Sequence, residues 1–389
     1  MEAVARDKTK FQMVGFAAHA ARSFGRFSGV PLMADGTARF ALRVIKFCGL
    51  FSIARYLTRD GLRILCYHGF ALGDEHNYRG KLFIRGDFFR RRIEYLQRTG
   101  YTLLRLDKAL EALWTGALPP CPAVITMDDG WRGVYTVGLP IIKELNIPVT
   151  VYVTTYYVQH PIPVFTVTLS YLFWRTPARS VDLPRELGRF ELDEQADAAE
   201  RSAQEFGALL PPAERLEFLK EMADALEVSF TEIERQHLFR VMDEQQLRCL
   251  DEAGVDIQLH SHHHDWPLYD RRMVETEIAE NRKILKRIVS HSLEHFCYPS
   301  GVYGLHQGEW LAALRVKSAT TIEPGLNFVE TSPFALRRLL DGHPVSDIEF
   351  EAEVTGFMEL IRALRERRFF LMMRGRFRLH HHPIRTTSV

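Results

Sequence analysis

The feature that most constrains the fold of this chain is an alternation of short apolar segments with longer segments of helical spacing. Helices placed between successive strands return the chain to the same end of the sheet, so the strands run parallel. We therefore predict a barrel-like α/β fold. The clearest predicted strands are 123–127, 149–154, 256–260 and 295–298, and the clearest predicted helices are 87–98, 106–113, 137–145, 243–253 and 272–288.

Three segments lie outside this alternation. Residues 176–238 are rich in Ala, Glu, Leu and Arg without a strand pattern, which predicts a helical insertion within the barrel. Residues 1–60 form a basic helical N-terminal extension that ends at a turn signal, Asp60-Gly61. Residues 357–389 form a basic C-terminal tail. The barrel itself is predicted to span residues 61–356.

Both extensions combine basic with apolar side chains. In the segment 40–56, one helical stripe is apolar and another is basic. Two interpretations are open, a helix on a membrane surface or a helix packed on the domain. The stretch 357–379 has the same two interpretations, docking on anionic lipid or covering the end of the barrel. The apolar stripe is Phe40, Val44, Phe47 and Phe51, and the basic one is Arg39, Arg43 and Lys46.

Composition limits the class of partner and compartment. Lys and Arg number 50 and Asp and Glu 49, so the net charge of +1 gives no reason to expect nucleic acid. Five scattered cysteines without a Cys-x-x-Cys pair predict neither a disulfide framework nor a thiolate zinc site, which fits a reducing compartment. No membrane-spanning stretch or signal peptide is evident, because charged residues interrupt the early apolar segments. We predict a cytoplasmic protein, with peripheral membrane contact as an alternative.

Two adjacent carboxylates, Asp128 and Asp129, precede Gly130 at the end of a predicted strand. The carboxyl ends of barrel strands are where such folds present reactive groups, and a buried carboxylate needs a partner or a metal. Asp-Asp-Gly is also common in ordinary turns. The motif alone therefore leaves a catalytic site and a turn as alternatives.

Four histidines lie within the five residues His260 to His264, again after a predicted strand. Neutral imidazole is a favoured zinc ligand, and two imidazoles with one carboxylate leave a coordination position open for water. An adventitious metal-binding cluster is the alternative. A third segment, Phe296 to Gly301, follows another strand and contains Pro and Gly, which could direct backbone N–H groups at an oxyanion or simply form a turn.

In this order, the three segments resemble the polysaccharide deacetylase family, the NodB-homology group of carbohydrate esterases. Thr126-Met127-Asp128-Asp129-Gly130 resembles the family's Thr-Phe-Asp-Asp-Gly motif, and His260 to His264 resembles its His-Ser/Thr-x-x-His motif. The segment 298–301 resembles the Pro-containing loop of the groove wall. Leu65-Cys66-Tyr67-His68 and the segment 88–101 add to the similarity, which covers about Gly61 to Gly356.

The resemblance implies a distorted (β/α) barrel with fewer than eight complete units. It also implies a divalent ion, usually Zn²⁺, held by Asp129, His260 and His264, with Asp128 as the general base. The groove wall and the oxyanion contact would come from Tyr298, Pro299, Ser300 and Gly301. The implied reaction is hydrolysis of an N-acyl group, with acetyl as the expected group, on a sugar of a polysaccharide or glycolipid precursor.

Two departures from the family pattern bear on the mechanism. Cys297 stands where many members carry an arginine that steadies the catalytic carboxylate, so the orientation of Asp128 must come from elsewhere. The family's late Leu-x-x-His motif, which supplies the general acid, is not evident. His343 and His68 are the candidates, each with a structural role as its alternative. The run 380–382 of three histidines is interpreted as a tail feature.

Two other functions stay open at this point. One is a sugar-binding pseudoenzyme of the same fold, suggested by the missing arginine and the unlocated acid. The other is a deformylase or deacylase of a lipid-linked sugar, suggested by the basic amphipathic ends of the chain.

Overall fold

The structure, a computed structural model, describes residues 36–365. The remaining residues 1–35 and 366–389, which include the histidine run 380–382 and most of the basic C-terminal stretch, lie outside the described part. No helix in residues 36–365 is long and apolar enough to cross a membrane.

Seven parallel strands make up the central sheet, in the order β11-β10-β9-β6-β5-β1-β12, and the short strand β4 pairs with β5. The members are β1 (Arg63–Tyr67), β4 (Thr102–Leu103), β5 (Pro122–Met127), β6 (Val149–Val153), β9 (Asp256–Leu259), β10 (His295–Cys297), β11 (Ser318–Thr320) and β12 (Leu339–Leu340). The strands β1, β5, β6 and β9 are buried throughout. Three of them, β1, β5 and β6, are largely apolar, as is common for buried strands of a parallel sheet. The strand β9 also contains Asp256 and Gln258, whose side chains are hydrogen-bonded to each other.

The sheet curls so that its two ends approach each other. Thr320 of β11 forms a parallel bridge with Leu336, three residues before β12 begins, and β12 pairs with β1. The backbone between β11 and β12 thus nearly closes the circuit. The prediction of a distorted α/β barrel is confirmed, and the four predicted strands lie where the structure has them, within one residue at each end.

Helices cover the outside of the sheet. Those of the barrel are α3 (Glu75–Tyr78), α4 (Gly86–Arg98), α5 (Leu106–Thr115), α6 (Leu139–Leu145), α7 (Tyr156–Gln159), α12 (Glu244–Glu252), α13 (Arg271–Leu285) and α14 (Gln307–Ala313), with a π-helical turn at Val134–Gly138 and a small sheet of β2 (Gly69–Phe70) and β3 (Phe83–Ile84). The five predicted helices all exist. Asp243 begins α12 with a capping box, since its carboxylate accepts from the Gln246 N–H while Gln246 bonds back.

The insertion has its own apolar core and lies between β6 and β9. It contains α8 (Phe165–Arg175), α9 (Leu192–Ala208), α10 (Pro212–Ala225) and α11 (Phe230–Arg235), and also an antiparallel hairpin of β7 (Ser180–Leu183) and β8 (Gly188–Glu191). The prediction that this segment carries no strand was wrong. Val181 and Leu183 alternate with more exposed neighbours, a half-buried pattern too short to stand out in a helix-rich sequence.

The end of the insertion is bound to the loop after β5. The Arg132 N–H donates to the Arg240 carbonyl (2.8 Å) and the Met242 N–H donates to the Gly130 carbonyl (2.9 Å). Trp131 and Val241 form an antiparallel bridge between these two contacts. The insertion therefore ends against the loop that contains Asp129.

The first and last described helices pack on each other at the side of the barrel. These are α1 (Gly36–Phe47), α2 (Leu50–Leu57), α15 (Asp347–Val354) and α16 (Phe357–Arg365). Leu42 and Phe51 join Ile348 and Ala352 in a small apolar cluster. Arg63 at the start of β1 is fully buried, and its guanidinium donates to the carbonyls of Thr58, Gly61 and Val354. This buried arginine fixes the junction between the helices and the barrel.

Candidate active site and metal centre

The predicted site residues follow four strands of the central sheet, the neighbours β1 and β5 and the neighbours β9 and β10, with β6 between the two pairs. His68 follows β1, Asp128 follows β5, His260 follows β9 and Tyr298 follows β10. Because parallel strands place their carboxyl ends on one edge of the barrel, these side chains converge there. The three sequence motifs are thus brought to one place.

Asp129, His260 and His264 place their potential ligand atoms within 4.8 Å of one another. Asp129 Oδ1 lies 3.1 Å from His260 Nε2 and 3.2 Å from His264 Nε2. Asp129 (φ 73°) and His264 (φ 60°) both adopt left-handed backbone conformations, which are uncommon outside glycine and concentrate at functional sites. One carboxylate oxygen and two imidazole nitrogens form a donor set suited to a catalytic zinc ion.

Further hydrogen bonds orient these candidate ligands. Trp131 Nε1 donates to Asp129 Oδ2 at 2.7 Å, which leaves Oδ1 toward the two imidazoles. His260 Nδ1 lies 2.8 Å from the Cys297 carbonyl, and this contact fixes Nε2 as the nitrogen facing Asp129. Such outer partners are typical of metal-binding histidines. Burial alone would raise the pKa of Asp129, but hydrogen bonds from His260 and His264 outweigh it and hold that pKa well below its usual range.

The other histidines of the cluster have structural partners. His262 Nδ1 lies 2.9 Å from Thr155 Oγ1, and His263 Nδ1 lies 2.7 Å from Glu277 Oε1. Glu277 also accepts hydrogen bonds from the backbone N–H groups of both histidines. His262 and His263 therefore hold the loop in place, while His260 and His264 face Asp129.

Asp128 is held by Arg338, a residue that the sequence analysis missed. Arg338 Nη1 donates to Asp128 Oδ1 and Nη2 donates to Oδ2, each at 2.7 Å, and its Nε donates to the Thr321 carbonyl at 2.7 Å. Both side chains are buried, Arg338 completely. Burial alone would raise the pKa of Asp128, but the charge and hydrogen bonds of Arg338 lower it to about 2. Asp128 is therefore a carboxylate at all physiological pH values.

The sequence offered only a weak signal for Arg338. It lies between Leu336 and Leu340 at alternate spacing, but the strand that follows it, β12, has two residues and is too short for a periodicity to be read. A charge at an inward position requires an opposite charge. Arg338 also donates to the Cys297 sulfur at 3.2 Å. Cys297 stands where many family members carry an arginine, and Arg338 reaches the carboxylate beside it.

Two buried thiols contact the same carboxylate. Cys66 Sγ lies 3.6 Å and Cys297 Sγ 3.4 Å from Asp128 Oδ2. Burial raises the pKa of the Cys66 thiol well above its usual value, so it stays neutral. Groups of Cys66, His68 and Asp128, or of Asp128, His260 and Cys297, also come close enough to hold an ion. Asp128 is already paired with Arg338, which favours the set of Asp129, His260 and His264.

The two candidates for the general acid lie in different places. His68 Nε2 is 3.9 Å from Asp128 Oδ2, and its buried Nδ1 has no hydrogen-bond partner within residues 36–365. Burial lowers the pKa of His68, against the opposing effect of Asp128 and Asp129, so the imidazole is neutral at pH 7. His343 instead accepts from the Arg85 N–H (3.0 Å) and packs on Phe88. The structure thus brings His68, and not His343, to Asp128.

The loop 298–301 borders the site beside β9. Pro299–Gly301 form a 3₁₀ turn with positive φ at Ser300 (54°) and Gly301 (66°). A side chain at Gly301 would meet Ile322 at 2.1 Å, so the close approach requires glycine. The Tyr298 hydroxyl donates to the Phe334 carbonyl (3.1 Å), and its N–H donates to the Thr320 carbonyl (3.1 Å). These bonds give Tyr298 a structural role, and Ser300 remains the candidate for an oxyanion contact.

Comparison with known proteins identifies the family. Residues 116–314, just over half of the chain, match the family model described as polysaccharide deacetylase. The chain belongs to the polysaccharide deacetylase family. It is accordingly a hydrolase of carbon–nitrogen bonds that acts on acylated amino sugars, and the family is metal-dependent.

Two solved structures are similar to this chain at low sequence identity, and the first of them supports the fold. The Streptococcus pyogenes deacetylase PplD, in complex with acetate, is 16% identical, with 76% of this chain and 98% of that chain covered and a TM-score of 0.50. IcaB from Ammonifex degensii is 17% identical, with 76% and 97% covered and a TM-score of 0.49. No curated protein sequence matches the chain significantly.

Proposed function

We propose that this polysaccharide deacetylase removes the acetyl group from an N-acetylated sugar, with Asp128 as the base, His68 as the acid, and Asp129, His260 and His264 as ligands of Zn²⁺. The observation that carries the proposal is the adjacency of two differently held carboxylates. Asp128 is paired with an arginine, while Asp129 faces two imidazoles. One carboxylate is thus set for proton transfer and the other for metal binding.

A divalent ion bound by Asp129, His260 and His264 would polarise the amide carbonyl and lower the pKa of a water molecule. Asp128 is positioned to accept a proton from the attacking water. Each carboxylate oxygen has two lone pairs, so the two bonds from Arg338 leave acceptor capacity on both oxygens. Arg338 fixes the direction in which Asp128 accepts.

His68 would complete the proton transfer. As water attacks the acetyl carbon and the carbon–nitrogen bond breaks, the leaving amine needs a proton. The His68 imidazole, neutral because burial lowers its pKa, can take the proton from Asp128 and pass it to the amine. The products are the free amine and acetic acid, which releases its proton to solvent and becomes acetate, and Asp128 returns to its carboxylate form. A backbone N–H near Ser300 would contact the carbonyl oxygen during attack.

Two observations disfavour the alternative of a sugar-binding pseudoenzyme. Arg338 supplies the arginine whose usual place is taken by Cys297, and His68 lies at Asp128 where an acid is needed. A lipid-linked sugar stays an alternative substrate to a polymer, because the side of the barrel carries exposed apolar helices. A formyl or longer acyl group on such a substrate belongs to the same alternative.

The test is acetate release from N-acetylglucosamine oligomers and from lipid-linked N-acetyl sugars, with chelated and with Zn²⁺-restored enzyme. We expect the parent enzyme to release acetate only when the metal is present. The Asp128→Asn variant should release none. Asp193→Asn, at an exposed position in α9, is the matched control and should be as active as the parent. Failure of metal-loaded enzyme to release acetate or formate from either substrate class would contradict the proposal.

A further inference from the structure

Helices α1 and α2 expose an apolar surface that nothing in the described chain covers. Phe47 is 92% exposed and Phe40 is 65% exposed. Of the large apolar side chains that are exposed within residues 36–365, nearly half lie in these two short helices: Phe40, Val44, Phe47, Leu50, Ile53 and Tyr56. Scattered apolar residues are normal on a surface, but a cluster of this kind marks an interaction site.

The exposure does not come from helices that lack a packing partner. Their other side is buried, with Leu42, Phe51 and Ala54 each at most 5% exposed. The Phe51 ring packs 5.4 Å from that of Phe357 in α16. The helices are therefore fixed to the barrel by one side and present a second apolar side outward.

Basic side chains accompany this surface, although Arg55 turns toward the barrel and donates to the Gly100 carbonyl. The segment 36–59 contains five basic residues and no acidic one: Arg39, Arg43, Lys46, Arg55 and Arg59. Arg39 and Lys46 pair with Glu349 and Glu351 of α15, yet their side chains remain 37% and 49% exposed. Arg43 forms no ion pair with any residue in the range 36–365. A cation without a carboxylate partner beside exposed phenylalanines is suited to an anionic amphiphile.

A cavity of about 810 Å³ adjoins this surface. Its walls are both apolar and basic, and include Arg43, Lys46, Phe47, Phe88, Arg91 and His343. The acidic residues in its wall are already paired, Glu351 with Lys46 and Asp347 with Arg92. Arg91 is paired with Asp87, so Arg43 is the cation left to meet an external anion among the described residues. His343, which lies away from Asp128, is also part of the cavity wall.

We infer that the surface formed by α1 and α2 docks the enzyme on a membrane containing anionic phospholipid. Phe40, Phe47 and Ile53 enter the acyl boundary, and Arg43 meets the lipid phosphate at the mouth of the cavity. Aromatic and aliphatic side chains on one helical face with arginine and lysine beside them are the pattern of interfacial helices. This inference does not depend on the catalytic proposal.

Charge favours lipid over two other occupants, the C-terminal segment and a second copy of the chain. The segment 366–378, which follows α16, contains five arginines and one acidic residue, so its charge would oppose packing on a basic surface. A second copy of the chain would bring the same positive charge to the contact. An anionic membrane instead attracts the basic side chains of both the surface and the segment. Salt screens this attraction, so it acts over a short distance between protein and membrane.

The test is flotation of the full chain with vesicles of phosphatidylcholine alone or mixed with phosphatidylglycerol. We expect binding to the mixed vesicles, little binding to phosphatidylcholine, and weaker binding in high salt. The double substitution Phe47→Ser and Ile53→Ser should lower the bound fraction at least tenfold. Arg43→Glu should lower it several-fold. The matched controls are Leu209→Ser, at an exposed position in the insertion, and Lys286→Glu at the end of α13.

Each of these variants changes a side chain that is exposed within residues 36–365, and thermal melting followed by circular dichroism confirms that it folds. Equal binding by the parent and the double variant would overturn the inference, as would failure of the parent to bind mixed vesicles. A dimer that forms without lipid and that Phe47→Ser abolishes would assign the surface to a second copy instead. Stronger binding after Phe369→Ser and Phe370→Ser would assign it to the chain's own C-terminal segment, because loss of these apolar side chains would free the surface. Acetate release plays no part in these readouts.

Discussion

Arg338 donates one hydrogen bond to each carboxylate oxygen of Asp128, and both bonds are 2.7 Å long. Both side chains are buried. Asp128 follows β5 and Arg338 precedes β12, and these two strands lie on opposite sides of β1 in the sheet. A two-point contact fixes the plane of the carboxylate as well as its position. The arginine therefore determines both the charge state and the direction of the proposed base.

Replacing Arg338 with lysine should lower kcat about 100-fold, because a single ammonium cannot hold the carboxylate plane. The pKa of Asp128 should rise above its present value of about 2, since the hydrogen bonds of Arg338 lower it now. The acidic limb of the pH–rate profile should accordingly move to higher pH. Arg337→Lys, one residue earlier and partly exposed, is the control. An unchanged acidic limb in Arg338→Lys would contradict this role.

Removing His264 should abolish tight metal binding. Loss of an outer partner of a ligand commonly costs about 10- to 100-fold in affinity, and loss of a ligand itself should cost more. Equilibrium dialysis with Zn²⁺ measures the effect directly in His264→Ala. His263→Ala serves as the control, because His263 contacts Glu277 rather than Asp129. Similar zinc affinities for the two variants would argue against the proposed ligand set.

Trp131 should tune the metal site without binding the ion. Its indole N–H donates to Asp129 Oδ2 at 2.7 Å, so Trp131→Phe removes one hydrogen bond while it keeps an aromatic ring. We expect zinc affinity to fall about 10- to 100-fold, as for other outer partners. Zinc titration of the folded variant checks this, with Trp114→Phe as the control at an exposed position. Unaltered affinity would mean that Asp129 is oriented by other contacts.

His68 and His343 can be separated by kinetics. General acid catalysis typically contributes about 10²- to 10⁴-fold in rate, so His68→Ala should lose activity on that scale. His343→Ala should keep the parental kcat, because its imidazole contacts Arg85 and Phe88. A substrate with a better leaving amine should recover part of the rate in His68→Ala. The opposite order of effects would return His343 to the site.

Asp341 should give folding stability an unusual dependence on pH. Burial raises the pKa of its carboxyl to about 6, against the opposing effect of Arg92. The folded state therefore binds the proton of Asp341 more tightly than the unfolded state does. The protonated carboxyl thus contributes to the free energy of unfolding at low pH, and this contribution is lost as the pH rises from about 4 to about 6. The slope is at most about 1.4 kcal/mol per pH unit. Asp341→Asn should remove this slope from thermal melting curves between pH 4 and 7, and an unchanged slope would contradict it.

Much of the barrel could be predicted from local pattern, because several of its buried parallel strands are largely apolar. The segments 122–127 and 149–153 show this directly, and their polar neighbours mark where each strand ends. The strand ends also drew attention to Asp128, Asp129 and the histidines 260–264, and the family resemblance then singled out His260 and His264 as ligands. Their convergence follows from strands that share one direction.

What could not be predicted depends on contacts distant in sequence. Arg338 meets Asp128 across 210 residues, and the pairing of β12 with β1 that brings it there involves two residues per strand. A strand of that length carries no readable periodicity. His343 looked equivalent to His68 as an isolated histidine near a turn, and the contacts with Arg85 and Phe88 that separate them are tertiary.

The bonds that tie Arg240 and Met242 to the loop 130–132 give the insertion an influence that its distance in sequence conceals. Because the insertion ends in backbone contact with the Asp129 loop, we expect changes in its packing to shift that loop. Lengthening or repacking α9 and α10 should therefore change metal affinity. Substitutions in these surface helices could then alter turnover during evolution, while every residue at the strand ends stays unchanged.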